Sequence, residues 1–132
     1  MKQSIVCQWI ILDPQWRILL IKRKYSKKNL PNYWAFPGWN QEMWENNEQT
    51  VIREVKEEVW LDFVVTELFM EWEGVSGYYV YRYTGTYSGI ITIQEDECDG
   101  YAWFSYVETE HLLIHPLMRD AIQRLFDRNF IK

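Results

Sequence analysis

The sequence predicts an α/β domain built on a mixed β-sheet, and three observations carry the prediction. Strand-like and helix-like runs are interleaved along the chain; the first two strands are joined by a tight turn; and a helix falls between sheet strands. At 132 residues the chain has the length of one domain spanning 1–132, at about 100–200 residues per domain.

The elements follow in order. Ser4–Leu12 is rich in β-branched and aromatic residues and predicts a strand. Asp13-Pro14-Gln15-Trp16 is a turn, with Pro at a favoured turn position. Arg17–Arg23 is a second strand, so the two form a hairpin. A basic loop (Lys22, Arg23, Lys24, Lys27, Lys28) and a Pro-containing turn at Asn29–Asn32 come next. Tyr33–Phe36 is a short strand stopped by Pro37-Gly38. Asn47–Trp60 is the clearest helix: Asn46 caps it, Gln49 completes a capping box, and Val51, Ile52, Val55 and Val59 share one side. Asp62–Trp72 and Tyr78–Tyr87 are strands joined by a turn at Gly74–Gly77, and Tyr101–Ser105 is another. His115–Phe130 closes the chain as an amphipathic helix with Leu117, Ala121, Ile122, Leu125 and Phe126 inward.

Composition excludes several classes. Hydrophobic residues at 48% and charged residues at 25% are globular values. A net charge of −5 argues against general nucleic-acid binding. No apolar run reaches the ~18 residues of a membrane span, and the apolar start Ile5–Leu12 lacks the cleavage site of a signal peptide. Two cysteines, Cys7 and Cys98, are too few for a disulfide framework and suggest a reducing cytoplasm. One count is unusual: the chain has 8 Trp against 6 Gly.

The chemistry concentrates on the helix. At about 100° per residue, Glu57 and Glu58 lie at about 300° and 40° from Glu54, so three carboxylates share one arc. Such a run is often only a solvated face. Clustered carboxylates repel, however, and a hard divalent cation such as Mg²⁺ relieves the repulsion while keeping waters free for phosphate. Five cations in one loop of an acidic chain suit an anion, and cations with metal-binding carboxylates suit a metal–phosphate substrate.

Phe36-Pro37-Gly38, then Glu45, then Arg53-Glu54-Val55-Lys56-Glu57-Glu58-Val59-Trp60-Leu61 resembles the Nudix box, G-x5-E-x7-R-E-U-x-E-E-x-G-U with U aliphatic. The resemblance covers most of the chain, including Leu19–Arg23 and the Glu97…Trp103-Phe104 segment. It implies an α/β/α sandwich that hydrolyses nucleoside diphosphates linked to another moiety with Mg²⁺ or Mn²⁺. It also implies site roles. Glu54, Glu57 and Glu58 ligate metal with the Gly38 carbonyl; Arg53 and Glu45 orient the helix; Glu54 is the first choice for general base; and Glu97 is an extra ligand or alternative base. Arg23, helped by Lys22 or Lys24, binds phosphate. Tyr78, 17 residues past the box, falls at a family marker for dinucleoside polyphosphates, whereas the proline that marks ADP-ribose specificity is absent near Ser76. One of Tyr33, Trp34 and Tyr79 could stack the base. The implied partner is a small-molecule nucleotide, with a homodimer left open.

The departures all involve tryptophan. Trp39, Trp44 and Trp60 stand at box glycines, and Trp9 and Trp16 where relatives often carry glycine. Glycine serves such positions through positive φ and close backbone approach. A gene whose UGA codons mean glycine, translated with UGA as tryptophan, gives this pattern. If the tryptophans are native, they could block the phosphate loop, and the alternative function is a catalytically impaired nucleotide- or partner-binding module. Two weaker signals remain. His111 and His115 have the i,i+4 spacing of a helical zinc pair but no further ligand nearby. The acidic neighbours of Cys98 disfavour its thiolate.

Overall fold

Among the described residues the chain forms β1 (Ser4–Ile11), β2 (Ile18–Arg23), β3 (Trp34–Ala35), β4 (Gly38–Asn40), α1 (Asn47–Val59), β5 (Asp62–Glu73), β6 (Tyr78–Ser88), β7 (Cys98–Phe104), α2 (Tyr106–Thr109) and α3 (Pro116–Asp127). The structure, a computed structural model, describes residues 4–24, 31–73, 77–94 and 98–132. It divides into two units, Met1–Ile11 with Pro37–Thr92 and Leu12–Phe36 with Ile93–Lys132.

The first unit is a four-stranded sheet of order β4-β1-β6-β5 with α1 packed on it. It is mixed: β1 runs parallel to β6 from Ser4↔Tyr78 to Ile11↔Gly85, and antiparallel to β4. An internal strand beside a parallel partner is covered on both faces and so reads as a continuous apolar run. That is why β1 is buried from Val6 to Ile11. Its one polar residue there, Gln8, is matched by buried Arg82 of β6, whose Nε donates to Gln8 Oε1 at 2.7 Å. β5 and β6 form a long antiparallel pair with two bulges.

The second unit is a three-stranded antiparallel sheet of order β3-β2-β7, with α2 and α3. The expected turn forms: Trp16 N donates to Asp13 O, and the Asp13 carboxylate accepts from Gln15 N and Arg17 N. The expected hairpin does not. Pairing across the turn stops at the Leu12↔Ile18 bridge, after which β1 pairs with β4 and β6, and β2 with β3 and β7. Two strands so apolar each need two covered faces, and one hairpin cannot supply them.

Smaller corrections share a cause in local chemistry. β4 extends past Pro37 because Gly38–Asn40 pairs with Val6–Gln8. β7 starts at Cys98, three residues before the expected Tyr101. α2 was not foreseen, although Ser105 and Glu108 form a complete capping box. The last helix is shorter, Pro116–Asp127, with Ala121, Ile122 and Leu125 buried. Phe126 is half-exposed instead of inward, because its ring stacks on Tyr106 at 4.0 Å.

Candidate active site

Helix α1 begins as its sequence dictates. Asn46 accepts from Gln49 N at 2.8 Å, and the Gln49 side chain accepts from Asn46 N at 2.8 Å. Its buried face is not the purely aliphatic stripe of Val51, Ile52, Val55 and Val59 expected. Thr50, Glu54 and Glu58 are buried with Val51, Val55 and Val59, while Ile52 is 45% exposed. The helix is therefore rolled toward its carboxylates, and Ile52, at the far edge of the apolar arc, is left outside. Glu57 alone of the three is open, at 52% side-chain exposure. A merely solvated acidic face would not be buried like this.

Arg53 organises the cluster. Its Nε and Nη2 donate to Glu45 Oε2 at 2.6 Å and Oε1 at 3.0 Å, a two-point grip on a carboxylate fully withdrawn from solvent. Its Nη1 donates to Glu54 Oε1 and to Glu57 Oε2, each at 3.0 Å. Glu45 also accepts from Glu42 N at 2.9 Å. Arg53 holds the Glu45 carboxyl below its ordinary range, against the opposing effect of burial, and Glu45 raises the guanidinium in return. The sequence-predicted Glu45, Arg53, Glu54 and Glu57 are thus one connected set.

Glu58 faces the loop before the helix. Its carboxylate accepts from Gly38 N at 3.2 and 3.4 Å, fastening the start of β4 to the last turn of α1. Gly38 has φ +122°, and a Cβ there would lie 2.2 Å from Cys7 O and 2.7 Å from Gln8 Cα. Only glycine lets the loop pass this close to β1. Trp60 ends the helix in the left-handed region, φ 61° and ψ 32°, with its N–H on Lys56 O.

The described side chains do not themselves converge as three or more metal ligands. Arg53 and the Gly38 amide engage the same oxygens. The donor chemistry nevertheless fits a hard divalent ion. Carboxylate oxygens of Glu54 and Glu57 are both 3.0 Å from one cationic nitrogen, so the cluster already gathers around a positive charge, and an all-oxygen set suits Mg²⁺ or Mn²⁺.

The other expected residues lie elsewhere. Lys22 and Arg23 end β2, Lys22 opposite Trp34 and Gly100, with Lys24 next; Lys27, Lys28 and Glu97 lie outside the described residues. Tyr78 opens β6 opposite Ser4 and is 42% exposed. His111 and His115 stand in the turn between α2 and α3, so the helical zinc-pair geometry does not arise. Two residues beneath the cluster belong to no motif in the sequence. Thr50 Oγ1 lies 3.2 Å from Glu45 Oε1. Cys7 is fully buried on β1, its thiol pushed up to about 12 by burial and then by Glu45 and Glu54. The signal for Thr50 was its helical position five residues after Glu45; Cys7 gave none.

Comparison with known proteins agrees with this fold. The structure resembles that of MutT, described from Aliivibrio salmonicida and Vibrio cholerae, at 19% identity and TM-score 0.83, covering 96% of this chain and 99% of that one. It resembles the MutT NUDIX hydrolase from Burkholderia pseudomallei at 22% identity and TM-score 0.77, covering 95% and 99%. A third likeness is to an ADP-ribose pyrophosphatase from Streptococcus suis, at 17% identity and TM-score 0.74, covering 94% and 87%. No curated protein sequence matches the chain. The sequence model of the NUDIX domain matches residues 1–125, taking in the Arg53 cluster and both sheets. With the box core intact and that match over nearly its whole length, the chain belongs to the NUDIX family, as a hydrolase of phosphoric anhydride bonds.

Proposed function

We propose that the substrate is a nucleoside triphosphate or a dinucleoside polyphosphate, cleaved with Mg²⁺ or Mn²⁺ held at the carboxylates of α1. The observation that carries the reading is the burial of Glu54 and Glu58 beside an Arg53 that grips Glu45, Glu54 and Glu57 at once. Such an arrangement costs desolvation and is kept where charge must be positioned. Glu54, Glu57, Glu58 and the Gly38 carbonyl are the proposed ligands, with Glu97 as an extra ligand or alternative base. When bound, the ion would lower the pKa of a water and offset phosphate charge. Glu54 takes the proton of the attacking water, and Arg53 and Glu45 keep the helix carboxylates aimed.

Arg23, with Lys22 or Lys24, is proposed to bind phosphate, and Tyr78 the distal part of the substrate. Solved neighbours include both MutT proteins and an ADP-ribose pyrophosphatase. The missing proline near Ser76 favours triphosphates and dinucleoside polyphosphates over ADP-ribose. Residues 1–132 are read as one domain, since the family match spans both units. The cytoplasm is proposed from the cysteine usage, and among the described residues no helix is long and apolar enough to cross a membrane. A homodimer is compatible with this reading. The test is a panel of nucleoside triphosphates, dinucleoside polyphosphates, ADP-ribose and NADH with Mg²⁺ at alkaline pH. Release of a nucleoside monophosphate, fastest from the first two classes, is expected. Binding without turnover of any member would overturn the proposal in favour of a binding module.

A further inference from the structure

Thr50 lies one helical turn before Glu54, on the buried side of α1 and withdrawn from solvent. Its hydroxyl lies within reach of two oxygen acceptors, Glu45 Oε1 at 3.2 Å and Asn46 O at 3.1 Å, and of the Cys7 sulfur, a weaker acceptor. The Asn46 carbonyl already accepts the helix bond from Thr50 N. Glu45 Oε1 belongs to a carboxylate with no solvent exposure, and hydrogen bonds to an ionised acceptor are roughly twice as strong as neutral ones. The proton therefore goes to Glu45. That bond fixes the carboxylate, the carboxylate fixes the two-point grip on Arg53, and the grip aims Nη1 at Glu54 and Glu57.

We propose that Thr50 is a positioning residue for the metal carboxylates, acting through Glu45 and Arg53. This rests on the functional reading above and deepens it. The test compares the wild-type chain with Thr50→Val, which keeps the shape, Thr50→Ala, and Thr50→Ser, which keeps the hydroxyl. Mn²⁺ affinity is measured on substrate-free protein by calorimetry and thermal shift, and Mg²⁺-dependent hydrolysis alongside. Thr50→Val and Thr50→Ala should weaken Mn²⁺ binding at least about tenfold, the scale of one charge-assisted hydrogen bond. Thr50→Ser should stay within about twofold of wild type, which a purely packing role would not produce. Wild-type affinity in both hydroxyl-free variants, or a serine variant as impaired as they are, would overturn the proposal. A wild-type chain without any Mn²⁺ response would instead overturn the metal reading on which it rests.

A second inference rests independently on backbone angles. Among the described residues, the non-glycine residues with positive φ are Trp16 (64°), Asn32 (65°), Trp60 (61°) and Asn129 (64°). Asparagine is the ordinary tenant of this region; a bulky side chain there is an outlier. Trp60 fills the helix-ending position that glycine usually takes, and Trp16 closes the tight turn after Asp13. Both residues are about half exposed, each ring beneath a lysine ammonium. Trp9 is fully buried against the Phe63 ring, and among the described residues its indole N–H has no acceptor. Trp72, packed against the Arg82 guanidinium, and Trp34, edge-on to Phe104, are not among the residues with positive φ.

We infer that the cell places glycine at Trp16 and Trp60, through UGA codons read as glycine. The coding sequence should carry UGA at these two positions and UGG at Trp34, Trp72 and Trp103. Ordinary UGG codons at Trp16 and Trp60 would overturn the inference. In recombinant protein, the double variant Trp16→Gly with Trp60→Gly should raise the melting temperature by roughly 3–8 °C as the strained backbone relaxes. A lower melting temperature would count equally against it.

Discussion

Replacing Gly38 by alanine tests whether the loop before α1 is as constrained as its geometry states. The added Cβ would sit 2.2 Å from Cys7 O and 2.7 Å from Gln8 Cα, both backbone atoms of a central strand that cannot swing aside. It would also carry φ +122°, a conformation closed to L side chains. Overpacking costs about 1–3 kcal/mol, and a strained backbone position about 1–3 kcal/mol more. Together these give about 2–6 kcal/mol. In a domain of this size each kcal/mol moves the midpoint by about 3–5 °C, so the thermal unfolding midpoint of Gly38→Ala should drop by about 6–30 °C. The same shift would pull the Gly38 amide from Glu58, so the rise in melting temperature on adding Mg²⁺ should shrink in this variant. A midpoint within about 2 °C of wild type would refute the argument, and would mean that β4 does not pass Cys7 and Gln8 as closely as described.

Further outcomes follow from the same geometry. Mg²⁺ or Mn²⁺ at about 100 times its dissociation constant should stabilise the folded chain by about 2.7 kcal/mol; Glu57→Gln should remove most of that rise in thermal unfolding, and an unchanged response would place the ion elsewhere. Glu45→Gln should destabilise by about 3 kcal/mol in denaturant titration, because it leaves the buried side of Arg53 without its counter-charge. That cost also has a defined pH dependence. Arg53 depresses the Glu45 pKa below its ordinary 4.5. Its stabilising contribution is therefore complete above about that pH and fades as the pH falls through the folded value. The stability gap between wild type and Glu45→Gln should shrink on acidification below about pH 4.5; a gap that widens would contradict the assignment.

Much of this was legible from the chain because local signals and tertiary packing agree. The capping box of α1 and the spacing from Glu45 to Arg53 each specify a contact within about two helical turns, where geometry follows from sequence separation alone. What could not be read depends on residues far apart. The separation of β1 from β2 is decided by β4, β6, β3 and β7 competing for their edges. The burial of Arg82 needs Gln8, 74 positions away, as its partner. Periodicity alone places Ile52 and Phe126 inward, and it fixes the centre of an apolar stripe better than its rims. The weight of Thr50 was hidden for another reason: threonine inside a helix usually bonds its own backbone, and only the buried carboxylate beside it changes that preference.

The bond from the Gly38 amide to the Glu58 carboxylate makes the loop its own reporter. An amide proton held by an ionised acceptor resonates well downfield and exchanges slowly with solvent. Glu58 is the carboxylate at the helix end of the proposed metal cluster, so an arriving cation must draw on the same oxygens that hold this proton. Occupancy can then be followed at a single resonance in nitrogen-edited spectra, without substrate, label or turnover. A titration that moves the Gly38 signal upfield while leaving the β6 amides still would show an ion loading between loop and helix, one amide at a time.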